Sequence, residues 1–365
     1  MKRFVLPLCL LLFFASCSKN NGGSGDQEIQ NPVGLKATIL SSGLAFPWEI
    51  VYGPDQQIWF TQRGGKISKL NLETKTVTLL FTVPDVTSVG EGGLLGMVLH
   101  PAFQANPYVY IVYDYMQNSV YKEKVVRYTY SGSTLTSPLT LIDQIPANSN
   151  HNGSRLMISS DLKLYITTGD AGTAANAQNL NSVSGKILRL NLDGTIPSDN
   201  PYPGNPVWSF GHRNPQGIVQ VNNVLYESEH GPDNDDEVNL IQKGRNYGWP
   251  NVEGLCDKTA EATFCAANNI VEPLAIWTPT IAPSGMTYYG SDYIPQWKNS
   301  LLMVSLKGTK LMQLELDGSG LVKSKNEFYV NAFGRLRAIC QSPEGKIYMA
   351  TSNGSDDKII EISRQ

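Results

Sequence analysis

From residue 35 to the C-terminus, the apolar residues fall in short runs of Val, Ile, Leu and Tyr. Clusters of Gly, Asn, Asp and Pro separate the runs. Period-two alternation between turn residues predicts β-strands, and long amphipathic helical patterns are scarce. The unit "GPDQQIWFTQRGGKISKLNLETK", residues 53–75, reads as turn, strand, Gly turn, strand, turn. The same grammar returns in "SSDLKLYITTGD…GKILRLNLDGT" (159–195) and in "SPEGKIYMATSNGSDDKIIEI" (342–362). Looser copies are "HPAFQANPYVYIVYDY…EKVVRYTYS", "VNNVLYESEHGPDNDDEVNLIQKG" and "IPQWKNSLLMVSLKGTKLMQLELDGSG". The matching strand centres fall near Trp59, Tyr110, Tyr165, Leu225, Leu302 and Tyr348. A repeat of about 50–60 residues, read as four strands per copy, predicts an all-β, six-bladed β-propeller. The run "LKATILSSG" has no unit of its own and is expected to add a strand to the last blade, closing the ring. A two-domain sandwich is the alternative, but it does not predict six evenly distributed copies.

The N-terminus follows another pattern. "MKR" is a basic start, and "FVLPLCLLLFFA" is shorter than the roughly 20 residues that span a bilayer. The run ends at "FASC", which resembles a bacterial lipobox with Cys17 as the lipidated residue. Phe14 departs from the usual Leu, which leaves soluble secretion open. The polar, Gly-rich "SKNNGGSGDQE" then reads as a tether. The expected division is a signal peptide over 1–16, a flexible tether over 17–34 and a propeller over 35–365. The protein is thus expected to be exported, as a periplasmic protein or a membrane-anchored lipoprotein of a bacterium, touching the membrane only through Cys17.

Export places the propeller in an oxidising compartment. Cys256 and Cys265 bracket the stretch "CDKTAEATFC", which is read as a loop closed by a local disulfide. Cys340, in the apolar "LRAICQS", reads as a buried thiol. A net charge of −3 implies no nucleic-acid partner.

Propeller loops gather at one end of the central channel, so polar residues far apart in sequence can converge there. His151, among only four histidines, sits in the polar loop "NSNHNGS", and Asp170 ends the following strand "KLYITTGD". An imidazole held by a carboxylate suits abstraction of a hydroxyl proton; a solvated loop histidine is the alternative. In "FGHRNPQGI", Arg213 offers a fixed fork of donors for a carboxylate or a developing oxyanion, with Asn214 beside it. The acidic "ESEHGPDNDDEVNLI" around Gly231 and Pro232 suggests a hard cation, although solvated acidic turns are common. Lys307 follows a strand in "SLKGTK". Arg335 and Arg337 in "FGRLRAI" are expected to share one strand face, which would suit an anionic ligand inside the channel.

The ordered set "GEGGLLGMVLHPAF", "NHNGSRL", "YITTGD", "FGHRNPQGI", "SEHGPDNDDEVNLI", "GRNYGWPNV", "PTIAPSG" and "SLKGTKL" resembles the soluble quinoprotein sugar dehydrogenases, the glucose/sorbosone dehydrogenase group. The resemblance runs from about residue 35 to the C-terminus. It implies a six-bladed propeller that binds pyrroloquinoline quinone (PQQ) with calcium and oxidises aldoses to lactones. It makes His151 similar to the catalytic base, Asp170 to its orienting carboxylate and Arg213 to the residue that stabilises charge on the reduced quinone oxygen. Glu91, Asn214, Thr280, Lys307, Arg335 and Arg337 match cofactor positions, the last three receiving carboxylates. Gly231 and Pro232 match the carbonyls that hold the cofactor's calcium. Glu253 and Leu255, through their carbonyls, and Asp257 and Glu272 match a second, structural calcium site. Glu91 and His230 stand where the glucose-type enzyme has Gln, and Thr278 where it has an aromatic substrate contact. These changes favour the broader aldose type.

The expected activity is therefore oxidation of an aldose at its anomeric carbon. Hydride passes to PQQ, His151 is the base, and an unidentified acceptor takes the electrons onward. A non-catalytic propeller binding module and a calcium-dependent lactonase are the rival classes. The first has no use for the internal Arg and Lys set. The second needs carboxylates converging directly on the metal.

Overall fold

A computed structural model describes residues 33–365. The expected signal peptide, the lipidated Cys17 and almost all of the tether lie outside the described residues. Among the described residues, no helix is long and apolar enough to cross a membrane.

The described strands form six four-stranded antiparallel sheets. The alternation of buried apolar and turn residues sets this up, as in "QIWFTQ": Gln57–Gln62 is buried at Ile58, Trp59, Phe60 and Thr61, and a Gly turn follows. The blades cover residues 47–82, 94–146, 153–210, 215–277, 283–328 and 336–364. All six strand centres read from the sequence fall on the second strand of a blade. The first strands of the blades are Pro47–Tyr52, Leu94–Leu99, Gly153–Ile158, Pro215–Val221, Pro283–Tyr289 and Leu336–Gln341. Each of them contacts the first strand of the next blade, and the last contacts the first, so the ring is closed around them.

The closure is made as expected. Leu35–Leu44 pairs antiparallel with Asp357–Arg364, from Leu35 opposite Arg364 to Leu44 opposite Asp357, and supplies the fourth strand of the last blade. Circular closure leaves only short blade edges. The apolar core lies between blades, in six clusters that each join two neighbouring blades. Between the first and second blades, fully buried Trp59 packs edge-on against Tyr130 at 4.9 Å and Phe103 at 5.7 Å. Burying such a side chain contributes roughly 1.5–3 kcal/mol.

Antiparallel order fixes which loops share an end of the ring. The connection from one blade to the next and the turn between the second and third strands of each blade lie at the same end. Glu91, His151, Arg213, Thr280 and Arg335 sit on blade-to-blade connections, and Asp170, Gly231, Pro232 and Lys307 follow second strands. Strand alternation alone thus brings nine residues scattered over 245 positions of sequence (Glu91 to Arg335) to one end.

Three expectations are corrected. The stretch between the cysteines is not a loop, because Thr259–Asn268 is an α-helix. Its Ala and Glu residues favour helix, and Asn269 ends it in the left-handed region at φ 50°. The disulfide itself is formed, joining Cys256 to Cys265 with Cα atoms 6.3 Å apart. Arg335 precedes the strand Leu336–Gln341, so only Arg337 lies on it. The two arginines do not share a strand face, and a bulge between Leu336 and Ala338 breaks the alternation. Cys340 is half-buried, and its surroundings push the thiol pKa up, chiefly through desolvation.

Candidate active site

His151 and Asp170 form the dyad that their spacing suggested. His151 Nδ1 lies 2.9 Å from Asp170 Oδ1. Asp170 is buried at 1 % exposure, and it also accepts Gly172 N–H at 2.8 Å and Trp249 Nε1–H at 2.9 Å. Burial alone raises the Asp170 pKa, but the hydrogen bonds from His151, Gly172 and Trp249 outweigh it, and the net shift is downward. The carboxylate therefore stays charged and holds Nδ1–H, leaving Nε2 as the basic ring nitrogen. The loop is pressed tightly against the strand end: a Cβ on Gly169 would lie 1.8 Å from the His151 carbonyl oxygen. His151 itself takes φ 58°, a conformation that needs outside support.

Arg213 approaches from the next connection. Its N–H donates to Glu229 Oε2 at 2.6 Å, its Nη1 donates to the His230 carbonyl at 3.2 Å, and its guanidinium lies 5.3 Å from the Trp249 ring centre. Its Nε has no partner among the described residues. Asn214 Oδ1 accepts Gly153 N–H at 3.1 Å, tying this connection to the His151 loop. His230 donates from Nε2 to the Pro283 carbonyl at 2.7 Å. Burial and the positive charges of Arg337 and Arg213 push its pKa down to about 3, so it is neutral.

The cationic set forms no ion pair among the described residues. Arg337 is 6 % exposed, donates to Gln216 Oε1 and keeps an unpartnered Nε. Burial pushes its pKa down to about 9; Glu91 acts against this, and Arg155, Arg335 and Arg63 add to it. Lys307 Nζ donates to Thr280 Oγ1 at 2.6 Å. The Glu91 charge acts through space on Arg63, Arg213 and Arg337, and at Arg213 the charges of Asp170, Glu229 and Asp236 act more strongly. None of Arg63, Arg213, Arg335, Arg337 and Lys307 makes a salt bridge with a described residue. This donor set fits a multiply charged anion such as PQQ.

Gly231 and Pro232 border a small cavity with Glu229, Asp235, Glu237 and Glu253, an oxygen-rich wall suited to a hard cation. Asp236 holds the turn, accepting Gly231 N–H at 2.9 Å and Ala282 N–H at 2.7 Å. Glu253 thus lines the cavity of the first candidate cation site, as well as belonging to the second set. In that second set, Glu272 accepts Cys256 N–H at 2.8 Å beside Leu255 and Asp257. The side chains of Asp257 and Glu272 form no metal-ligating cluster of three among the described residues. The cluster of three that does form among the described residues is buried His212, Glu227 and Glu229, none of which belongs to that set.

Sequence reasoning missed Trp249 and Glu229. Trp249 arrives on the long excursion between the third and fourth strands of the 215–277 blade. That excursion climbs beside Val207–Phe210, with Asn246 bridged in parallel to Phe210, and so reaches the site end. The quoted "GRNYGWPNV" contained the only available signal, an aromatic residue between turn residues.

The profile of the glucose/sorbosone dehydrogenase family matches residues 44–361. The chain belongs to that family. Quinoprotein glucose dehydrogenase B of Acinetobacter calcoaceticus is 33 % identical, over 87 % of this chain and 85 % of the relative. Aldose sugar dehydrogenase YliI of Escherichia coli is 31 % identical, over 91 % and 94 %. Among solved structures, the apo-form soluble aldose sugar dehydrogenase of Escherichia coli superposes with a TM-score of 0.83 at 31 % identity, covering 91 % of this chain and all of that one. The PQQ-bound aldose sugar dehydrogenase of Streptomyces coelicolor gives 0.78 at 32 %, covering 92 % and 99 %. The resemblance and the propeller read from the sequence are both borne out, and the chain is a sugar dehydrogenase of the quinoprotein type.

Proposed function

We propose that the protein oxidises aldoses at the anomeric carbon to lactones, with PQQ and calcium bound at the site end and His151 as the base. The observation that carries this reading is the 2.9 Å contact between His151 Nδ1 and Asp170, beside Arg and Lys side chains that make no ion pair with a described residue. When bound, PQQ supplies the two-electron oxidising power and calcium favours negative charge on its carbonyl. Lys307, Thr280, Arg335 and Arg337 would hold its carboxylates, and the Gly231 and Pro232 turn would hold the calcium. His151 Nε2 accepts the proton of the anomeric hydroxyl. Asp170 keeps the ring in the tautomer that makes this possible and stabilises the imidazolium that results. Arg213 offers donors to negative charge developing in the closed site, where such contacts act in a low dielectric. Neutral His230 adds no further positive charge beside Arg213 and Arg337.

The lactonase reading needs a substrate-accessible metal. The buried trio does not offer one, since His212 and Glu227 are each 0 % exposed, so that reading would have to act at the cavity beside Gly231 and Pro232 and predicts turnover that does not depend on PQQ. Adding PQQ and calcium to purified apoprotein, then assaying aldoses with an artificial electron acceptor, tests the proposal. Lactone formation that depends on PQQ supports it, and reconstituted protein inert towards every aldose would end it. We also propose export with a lipid on Cys17, from the basic start and apolar run of residues 1–16; palmitate labelling that persists in Cys17→Ser would refute it.

A further inference from the structure

Two carboxylates lie buried behind the His151 loop. Asp114 and Glu123 are opposite one another on the paired strands Tyr108–Gln117 and Val120–Tyr130, at 0 % and 1 % exposure. Opposed residues place their Cβ atoms about 5 Å apart on one face of the sheet. Neither has an ion-pair partner among the described residues, and each keeps one unpartnered oxygen, Asp114 Oδ1 and Glu123 Oε1. Two such groups cannot both be charged at acceptable cost. Their remaining oxygens are in use. Asp114 Oδ2 accepts Asn152 Nδ2–H at 3.1 Å and Gly93 N–H at 3.0 Å, and Glu123 Oε2 accepts the Ser154 hydroxyl.

These contacts reach both sides of the candidate active site. Asn152 closes its own loop, donating to Asn148 O at 2.9 Å and accepting Asn148 N–H at 2.9 Å, so its side chain fixes the turn that carries His151. Gly93 belongs to the turn that carries Glu91, and Glu91 N–H donates to Ser149 O at 2.7 Å. The fit is close, because a Cβ on Gly92 would lie 2.2 Å from Asp114 Oδ2.

We propose that Asp114 and Glu123 form a buried carboxylate pair that carries at most one negative charge, and that Asp114 acts through Asn152 as a positioning residue for His151. The inference rests on His151 being the base. Asp114 ties the His151 loop to the Glu91 turn, and Glu123 holds Ser154 two residues beyond Asn152. The pair sits in an uncharged pocket. Facing it are Tyr121, whose hydroxyl is unpartnered, together with Asn152, Ser154 and the Gly93 amide. Lys122 and Lys124, beside Glu123 in sequence, alternate to the opposite face, where Lys124 Nζ bonds Asp85 at 2.6 Å. Desolvation pushes the Asp114 pKa up to about 8 and raises that of Glu123 well above the ordinary carboxylate range, with the Asp114 charge adding to the latter. Between the ordinary carboxylate range, about 4, and about 8 the folded protein therefore binds more protons than the unfolded chain, and stability falls as pH rises across that window.

The test compares Asp114→Asn, Asp114→Leu, Asn152→Ala and His151→Ala, each reconstituted with PQQ and calcium. Asp114→Asn keeps an oxygen acceptor for Asn152 and Gly93 without a charge. It should keep kcat within about threefold and flatten the fall in Tm between about pH 4 and 8. Asp114→Leu and Asn152→Ala should lower kcat by about 10²-fold, the effect of a displaced base, with the PQQ dissociation constant changed less than about threefold. If Asp114→Leu does not fold, Asn152→Ala decides the positioning role. Wild-type kcat in Asp114→Leu or Asn152→Ala, with His151→Ala inactive, overturns the inference alone. Wild-type turnover in His151→Ala would instead remove the base reading on which it rests.

Discussion

Trp249 donates from Nε1 to Asp170 Oδ2 at 2.9 Å, across 79 residues of chain, while Asp170 Oδ1 holds His151. The carboxylate is thus fixed from both sides, and the tryptophan ring that fixes it also faces the Arg213 guanidinium. One side chain from a distant excursion therefore bears on both the candidate base and the candidate charge stabiliser.

Removing that donor should be felt through Asp170. Trp249→Phe keeps most of the ring and loses one hydrogen bond, worth about 1 kcal/mol, so kcat should fall about five- to tenfold. Steady-state kinetics with an artificial acceptor reads this. An unchanged kcat would mean that Asp170 is held adequately without Trp249.

Asp170→Asn should be more severe. The amide no longer enforces the Nδ1–H tautomer, and turnover should drop by about 10²- to 10⁴-fold while PQQ binding persists. The same variant has a pH signature. The folded Asp170 pKa lies below the unfolded value near 3.9, so its stabilising contribution is present above that value and is lost as pH falls through the folded one. Acid titration of Tm should show wild type losing its advantage over Asp170→Asn only below about pH 4.

Arg335 and Arg337 should separate. Arg335 is exposed and ahead of its strand, so Arg335→Ala should weaken PQQ affinity and change stability by less than about 0.5 kcal/mol. Arg337 also serves Gln216 in the channel, and Arg337→Ala should weaken PQQ affinity and cost about 1–3 kcal/mol by leaving Gln216 Oε1 unpartnered. Titration with PQQ in excess calcium, alongside thermal denaturation of the apoprotein, distinguishes the two.

Much of this was legible in the chain. Turn residues at regular intervals mark the blades, and strand alternation then dictates which loops share an end, so His151, Arg213 and Lys307 fall together from the repeat alone, whereas Arg335 reads as a strand residue. The 259–268 helix was hidden because a ten-residue Ala-rich stretch that runs through Cys265 carries no apolar stripe, and its hydrophobic positions face no core. Trp249 was hidden because its role depends on the path of an excursion outside the repeat. The Asp114–Glu123 pair was hidden because acidic residues in alternating strands read as solvent-facing, whereas here the second blade turns that face inward against Asn152 and Ser154.

The central claim is that His151 is the base of a PQQ-dependent aldose oxidation. The most direct measurement is single-turnover oxidation of an aldose by His151→Ala holoenzyme, with PQQ occupancy determined by titration in the same preparation. The expected result is PQQ binding close to wild type and an oxidation rate about 10²- to 10⁴-fold lower. Full PQQ occupancy with a wild-type rate would contradict it.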